Sequence, residues 1–255
     1  MFATERQAKI YEMICKNDAI STAKLVEEFG VSIETVRRDL LEMEKNKLLK
    51  RVHGGAVKIG DMKPFVELQQ RHRNKEEEKT ALANIAVTMV KEGDFIAIDS
   101  GSTAIFFAEA LKKNFERLTI VTHSLDVFQI LRDHKNFDIL LCAGHYMKNE
   151  NAFYGMLTIE MLDQIHVEKS FICPSSISLD HGICDYHPDL CMVQRKLIDI
   201  ADNVHILADS SKFEKRALMK LCDMKPEYKY ISDGGLKEEL KTLYRENGIK
   251  IITKS

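Results

Sequence analysis

The chain has 255 residues, which suits one large α/β domain or a small domain followed by a medium one. Its 45% hydrophobic and 30% charged residues are ordinary for a globular protein, and its 12 glycines and 4 prolines are too few for a collagen-like or low-complexity fold. No apolar run approaches the ~18 residues of a membrane-spanning helix. The net charge of −2 gives the whole chain no attraction to nucleic acid, and six scattered cysteines behind a charged N-terminal segment without a secretory core predict free thiols in a cytoplasmic protein.

Three short helices are predicted in the first 45 residues. Apolar residues recur at helical spacing within residues 4–16, which predicts an amphipathic helix there. Ser21 or Thr22 stands where the N-cap of a second helix belongs, and Gly30 suits its C-terminal end. Ser32 is placed to cap a third helix. Two short helices joined by a tight turn are the sequence form of a helix-turn-helix.

The third helix is predicted to face DNA. Most of it lies within residues 37–58, where seven lysines and arginines stand against three acidic residues, whereas residues 59–255 carry 26 basic and 30 acidic groups. Its polar side chains are short hydroxyls and guanidiniums, which suit base edges and phosphates. A solvated helix face is the alternative that charge alone leaves open.

Two short strand-like runs after the third helix predict a β-wing. They flank Gly54 and Gly55, and we expect Arg51 and His53 to contact the DNA backbone. The residues predicted to bind DNA are Ser21, Thr22, Ser32, Thr35, Arg37, Arg38, Arg51, His53, Gly54 and Gly55.

The run VSIETVRRDLLEME followed by LKRVHGGAV resembles the N-terminal signature of the DeoR family of bacterial winged-helix transcription regulators. The resemblance implies a DNA-binding domain over residues 1–57. One departure is visible: the family usually has a glycine just before the wing, where this chain has Asn46-Lys47. A three-helix unit used for protein contact is the alternative.

Residues 58–74 are predicted to form a linker, and residues 75–255 a second domain. The linker is polar, contains Pro64 and shows no sustained periodicity beyond one short turn of helix. From there strands and helices alternate, which predicts a mainly parallel sheet covered by helices on both faces. The predicted strands are 95–98, 119–122, 138–142, 170–173, 204–208, 228–231 and 249–252, and the helices are 81–90, 103–112, 125–132, 158–165, 192–201 and 236–244.

Two strand ends in this domain carry residues suited to an anion. Residues 99–103 read Asp-Ser-Gly-Ser-Thr and lead directly into a helix, whose unpaired N–H groups favour a phosphate or carboxylate. Lys212 follows another strand and could reach the same phosphate as a point charge. A capped turn and a surface lysine are the structural alternatives.

DSGST and ADSSKF, with EEEKTALANIA before them and LTIVTHS between, resemble the sensor domain of the same DeoR family, which is similar in fold to ribose-5-phosphate isomerase. The resemblance implies a repressor controlled by a sugar phosphate, acting as a dimer or tetramer without a cofactor. The ligand-binding residues it implies, together with the strand-end reading, are Asp99, Ser100, Gly101, Ser102, Thr103, Thr122, Gly144, Glu168 and Lys212.

Several departures from the family concern the effector. A Gly-Gly after the third strand is here Ala143-Gly144, and Cys173 and Ser176 replace two further glycines. The usual aspartate before the fourth strand is Glu168, and a glutamate expected near Leu190 is missing. The bulkier residues favour an effector smaller or less hydroxylated than a full pentose phosphate.

The sequence leaves two other functions as alternatives. Isomerases of this fold carry Asp-Gly-Ala-Asp and Lys-Gly-Gly-Gly loops, whereas this chain reads Ala-Gly-His at residues 143–145 and Pro-Ser-Ser at 174–176, so we expect no enzyme. A metal-responsive regulator is the second alternative, although the spacing of its possible ligands matches no standard zinc site. Those ligands are His181, Cys184, His187 and Cys191.

Overall fold

The computed structural model describes residues 3–17, 19–46, 48–52, 54–57, 66 and 68–253. Contacts within the chain divide it into two compact units, residues 1–64 and residues 65–255. His53 and residues 58–65 and 67, which include most of the first half of the predicted linker, lie outside the described residues.

The N-terminal unit consists of three helices and a small antiparallel sheet in the order β1-β3-β2. Apolar side chains of all three helices form its core, among them Ile14, Leu25 and Leu40. The elements are α1 (Ala3–Asn17), β1 (Ala19–Ser21), α2 (Thr22–Phe29), α3 (Ile33–Lys45), β2 (Lys50–Val52) and β3 (Gly55–Val57). The predicted helices and wing are therefore confirmed, whereas the strand β1 was not predicted from the sequence.

The predicted caps explain where α2 and α3 begin and end. The hydroxyl of Ser21 accepts a hydrogen bond from the N–H of Lys24, and that of Ser32 accepts one from the N–H of Thr35. Gly30 closes α2 in the left-handed conformation at φ 61°, which only glycine adopts without strain. The turn between the two helices is thus set by Gly30 and Ser32.

The C-terminal unit is built on a seven-stranded parallel sheet in the order β15-β14-β12-β9-β4-β5-β6. Its elements are α4 (Leu68–Arg73), α5 (Glu76–Val87), β4 (Phe95–Ile98), α6 (Ser102–Asn114), β5 (Thr119–Thr122), α7 (Leu125–Leu131), β6 (Asp138–Leu141), β7 (His145–Met147), β8 (Ala152–Tyr154), α8 (Met156–Leu162), β9 (Val167–Ile172), β10 (Ser176–Ser178), β11 (Gly182–Asp185), α9 (Pro188–Asp199), β12 (Ala201–Leu207), a 3₁₀ turn (Ser210–Lys212), β13 (Met219–Cys222), β14 (Lys229–Ile231), α10 (Glu238–Glu246) and β15 (Ile251–Ile252).

Two apolar cores cover the two faces of this sheet. Side chains of β4 alternate between them, since Ile96 and Ile98 pack with α5, α6 and α7, while Ala97 packs with α8, α9 and α10. Strands buried on both faces read as continuous apolar runs, which is why β4 and β5 have the bounds that the sequence predicts. The doubly covered α/β architecture is confirmed.

The smaller elements differ from the prediction. A hairpin of β7 and β8 and an antiparallel sheet of β10, β11 and β13 were not foreseen. These strands have three or four residues each, too few for alternation to give a signal. The second half of the predicted linker is the helix α4, which Leu68 anchors by its buried side chain.

Candidate functional site

The recognition helix α3 presents an exposed polar face. Arg37 and Arg38 are both exposed, and Nη1 of Arg37 lies 2.7 Å from Oε1 of Glu34. The hydroxyls of Ser32 and Thr35 lie 2.9 Å apart at the start of the helix. These four predicted DNA-binding residues therefore lie on or near one accessible end of α3, and an exposed ion pair such as Arg37–Glu34 is weak enough to exchange for a phosphate.

Asp39, within the same motif, has a structural role that the sequence did not reveal. Its carboxylate is buried and accepts hydrogen bonds from Nε of Arg6 at 2.6 Å and from Nη2 of the same residue at 3.2 Å. The hydrogen bond to Asp39 raises the pKa of Arg6 above its ordinary value. The Arg6–Asp39 pair joins α1 to α3. The orientation of α3 within the N-terminal unit therefore depends on this pair.

The wing is shaped by its two glycines. Gly54 turns the chain at φ 82°, and a Cβ at Gly55 would lie 2.1 Å from the carbonyl oxygen of Ile20. The carbonyl of Gly54 also accepts the N–H of Thr22, the first residue of α2. Backbone geometry alone therefore accounts for both glycines. Arg51 is exposed on β2, where its N–H donates to Oε1 of Glu44.

In the C-terminal unit, the two predicted strand ends meet. Gly101, at φ 101°, leads from β4 into α6, whose first N–H groups have no partner within the helix. Nζ of Lys212 lies 3.4 Å from Oγ1 of Thr103 in that first turn and donates to the carbonyl of Pro174 at 2.8 Å. The structure thus brings Lys212 to the N-terminus of α6, and the partial positive charge of the helix adds to that of the lysine.

Two further cationic side chains lie near Lys212 and the N-terminus of α6. They were not predicted from the sequence. Lys79 of α5 is buried and donates to the carbonyls of Arg71 and Asn74. Nη1 of Arg71 on α4 lies 3.7 Å from the point that a Cβ at Gly101 would occupy. We name Arg71, Lys79, Lys212 and the N-terminus of α6 the cationic cluster.

The cluster is electrostatically strained. The pKa of Lys79 is lowered to about 8, chiefly by burial and then by the positive charge of Lys212, with a smaller contribution from Arg71 and a partial opposing effect of Asp209. A lysine pKa falls only where the surroundings disfavour positive charge. An anion bound among these groups would relieve that cost, so the geometry suits a phosphate or carboxylate.

Asp99 lies beneath the cluster and is fully occupied by protein partners. Its Oδ1 accepts from the N–H of Ser100 and from Nε2 of His123, and its Oδ2 accepts from the N–H of Cys173 and from Nε2 of Gln194, all at 2.7–3.0 Å. The expectation that Asp99 contacts the ligand is therefore replaced by a supporting role. It holds the loop that leads into α6.

Three other predicted ligand residues are placed differently. The buried hydroxyl of Thr122 donates to the carbonyl of Ile98 and so serves the backbone. A Cβ at Gly144 would lie 2.2 Å from Oγ1 of Thr158, so the glycine serves packing. Glu168 accepts the N–H of Phe95, the first residue of β4. Because the strands are parallel, that contact lies at the opposite edge of the sheet, and placing Glu168 in the site was wrong.

The cysteines and histidines of the possible metal cluster are dispersed. Sγ of Cys184 donates to the carbonyl of His181, Cys191 is buried in a core, and Nε2 of His187 lies 3.6 Å from Oε1 of Glu150. In the described part of the chain, no three His, Cys, Asp or Glu side chains are grouped to hold a metal ion. Nor is any described helix long and apolar enough to cross a membrane.

Comparison with known proteins agrees with both units. Residues 6–61 match the family model of the DeoR-like helix-turn-helix domain, and residues 74–234 match that of the DeoR C-terminal sensor domain. Among solved structures, ribose 5-phosphate isomerase A from Neisseria gonorrhoeae is 19% identical with a TM-score of 0.43, and the match covers 56% of each chain.

Curated relatives match over nearly their whole length. Transcriptional repressor AccR of Agrobacterium fabrum is 31% identical over 94% of this chain and 93% of its own. HTH-type transcriptional repressor GlcR of Bacillus subtilis is 28% identical over 99% and 96%. The putative aga operon transcriptional repressor of Escherichia coli O157:H7 is 25% identical over 98% and 93%. With both domain models matched in order along the chain, this protein belongs to the DeoR family of helix-turn-helix transcriptional regulators.

Proposed function

We propose that the protein is a cytoplasmic repressor whose binding to operator DNA is controlled by a small phosphorylated metabolite. The class of metabolite that we propose is a sugar phosphate. The observation that carries this proposal is the cationic cluster, in which Arg71, Lys79 and Lys212 converge on the N-terminus of α6. A phosphate dianion supplies the charge that this arrangement favours. Three relatives that are named as repressors support the direction of control.

Residues 1–57 read DNA in this proposal. Arg37 and Arg38 are adjacent on a helix and project about 100° apart, so both cannot face the same base pair. One reads a base edge and the other holds a phosphate. Two copies of the chain present two such helices to two half-sites, as helix-turn-helix proteins do.

Residues 75–255 sense the effector, and α4, within residues 58–74, carries the signal. Arg71 on this helix pairs with Glu150, whose side chain is almost completely buried in the turn between β7 and β8. An anion at the N-terminus of α6 competes with Glu150 for the guanidinium. Because α4 follows the DNA-binding unit along the chain, we expect this exchange of partners to couple effector binding to DNA binding.

A thermal-shift and DNA-release experiment tests the proposal. Purified protein is titrated with sugar phosphates and with the same sugars lacking phosphate, and release of a DNA site selected from a random pool is followed by fluorescence anisotropy. We expect phosphorylated ligands alone to raise the Tm and release DNA. Lys212→Ala should bind the DNA normally and lose this response.

Lys113→Ala is the matched control, because Lys113 is an exposed lysine in the last turn of the same helix, α6. It should respond like the wild type. An unphosphorylated sugar that acts equally on wild-type and Lys212→Ala protein would refute the anion site and leave the DNA-binding assignment unaffected.

A further inference from the structure

The outermost strand of the seven-stranded sheet has an open side. β6 pairs with β5, and no strand among the described residues pairs with the opposite side of β6. The N–H of Asp138 donates to the carbonyl of Leu118, which precedes β5. In a parallel ladder alternate residues bond to the same neighbour, so the peptide groups of Ile139 and Leu141 face away from the sheet.

This edge strand is short, with four residues, and Asp138 gives it one exposed charge, but it carries no proline, lysine or bulge. Its sequence is Asp-Ile-Leu-Leu at residues 138–141. The three apolar side chains are each only partly buried. An unpaired apolar strand of this kind is a template for pairing with another strand.

An apolar groove of about 400 Å³ runs beside the edge. Leu140 of β6 forms one wall, and α8 and the residues after it form the other. Met156 and Leu157 at the start of α8 are 68% and 64% exposed, the two highest values among the large hydrophobic side chains of the described residues. The groove is lined by Leu140, Leu157, Glu160, Met161, Gln164 and Ile165.

We propose that β6 and this groove form the interface with a second copy of the chain, in which two β6 strands pair antiparallel about a two-fold axis at Leu140. Ile139 then exchanges both of its main-chain hydrogen bonds with Leu141 of the second copy, and Leu141 does the same with Ile139 of the second copy. Leu140 faces its own counterpart across the axis. The two seven-stranded sheets become one continuous sheet.

The choice of a second copy as the occupant follows from the symmetry of the edge itself. The two outward-facing peptide groups lie one residue on either side of Leu140, so an antiparallel copy of the strand presents the same spacing in reverse. The same axis brings the two exposed Leu157 side chains toward each other. The inference rests on the proposed function in one respect: a protein that binds two DNA half-sites through two copies of α3 must form a symmetric dimer.

Sedimentation equilibrium of the full chain tests the interface with two variants. Ile139→Pro removes an outward N–H and leaves every hydrogen bond to β5 in place, since proline is tolerated where the N–H of an edge strand faces away from its neighbour. Leu157→Lys places a charge in the groove at an exposed position. We expect the wild type to form a dimer, or a larger assembly of even number, and each variant to raise the dissociation constant of the pair at least about thirtyfold.

Leu243→Lys is the matched control, because Leu243 is a 43% exposed leucine on α10, beside the other edge of the sheet. It should assemble like the wild type. Circular dichroism tests whether the variants are folded. The thermal shift with sugar phosphate tests whether effector binding is independent of assembly. A wild type that is monomeric, or an assembly that neither variant weakens, would overturn the interface, and the effector site would be unaffected by either result.

Discussion

The protonation of Lys79 is expected to affect anion binding at the proposed effector site. Its pKa of about 8 lies below the ~10.4 of an unfolded lysine, because the amine is buried among other positive charges. The unfolded chain therefore binds more protons than the folded one between these two values. In that window the free energy of unfolding of the ligand-free protein rises with pH.

An anion beside Lys79 would raise this pKa again, so binding near pH 8 takes up a proton. Since phosphate is largely a dianion above pH 7, we expect the affinity for a phosphorylated ligand to fall by up to about tenfold from pH 7 to pH 9. Calorimetric titration in two buffers of different ionisation enthalpy measures both effects. Lys79→Met should bind more weakly and with little dependence on pH, and a wild-type affinity that is constant over this range would contradict the assignment.

Single residues also show what the sequence could and could not reveal. Lys79 did carry a signal, because Leu82, Ala83 and Ala86 share its face of α5 and all are buried. A lysine on an apolar stripe is an unusual residue, and periodicity alone can find it. Arg71 carried no such signal, since it stands in a polar segment and acts only through its position in the fold.

At the scale of elements, α4 joins the segment that leaves the DNA-binding unit to the sensor. Its side-chain ion pair, Arg71–Glu150, also lies near His187. Elements of this length are difficult to predict, because six residues give less than two helical turns of pattern. The strands β4 and β5 have only four residues each but were predictable, because burial on both faces leaves a continuous apolar run.

The ion pair gives α4 two alternative partners, which leads to a prediction for Glu150→Gln. The substitution keeps the shape of the side chain and removes the charge that competes for Arg71, so we expect a sugar phosphate to bind severalfold more tightly. Titration followed by thermal shift measures this, with the exposed Glu246→Gln of α10 as control. An unchanged affinity in Glu150→Gln would show that Glu150 and the ligand do not compete.

At the scale of the whole molecule, the proposed dimer would bind DNA through two copies of α3. If one of Arg37 and Arg38 holds a phosphate, replacing it with alanine removes one contact per chain and two per dimer. We expect the slope of log affinity against log salt to fall by about two for a site with both half-sites, and by about one for a single half-site. The other arginine, when replaced, should reduce the preference for operator over random DNA, at about 1–3 kcal/mol per contact.

Equal slopes for both variants and the wild type would show that neither arginine holds a phosphate. Lys9→Ala, which removes an exposed basic residue of α1, serves as a control for nonspecific loss of charge. Domain order and the helix-turn-helix were predictable here because each is carried by local caps and motifs. The proposed interface between two copies was not predictable, since an open strand edge is recognised only once the strand order is known.

The strand order also has a consequence for the newly made chain. Asp99 depends on the N–H of Cys173, 74 residues later, and on Gln194, 95 residues later, while Lys212 comes later still. The N-terminal compact unit, by contrast, ends at residue 64. Synthesis runs from the N-terminus, and domains generally fold as units as they are made. We therefore expect the DNA-binding unit to fold while the rest of the chain is still on the ribosome, so that a chain interrupted before Lys212 would bind operators and ignore the effector.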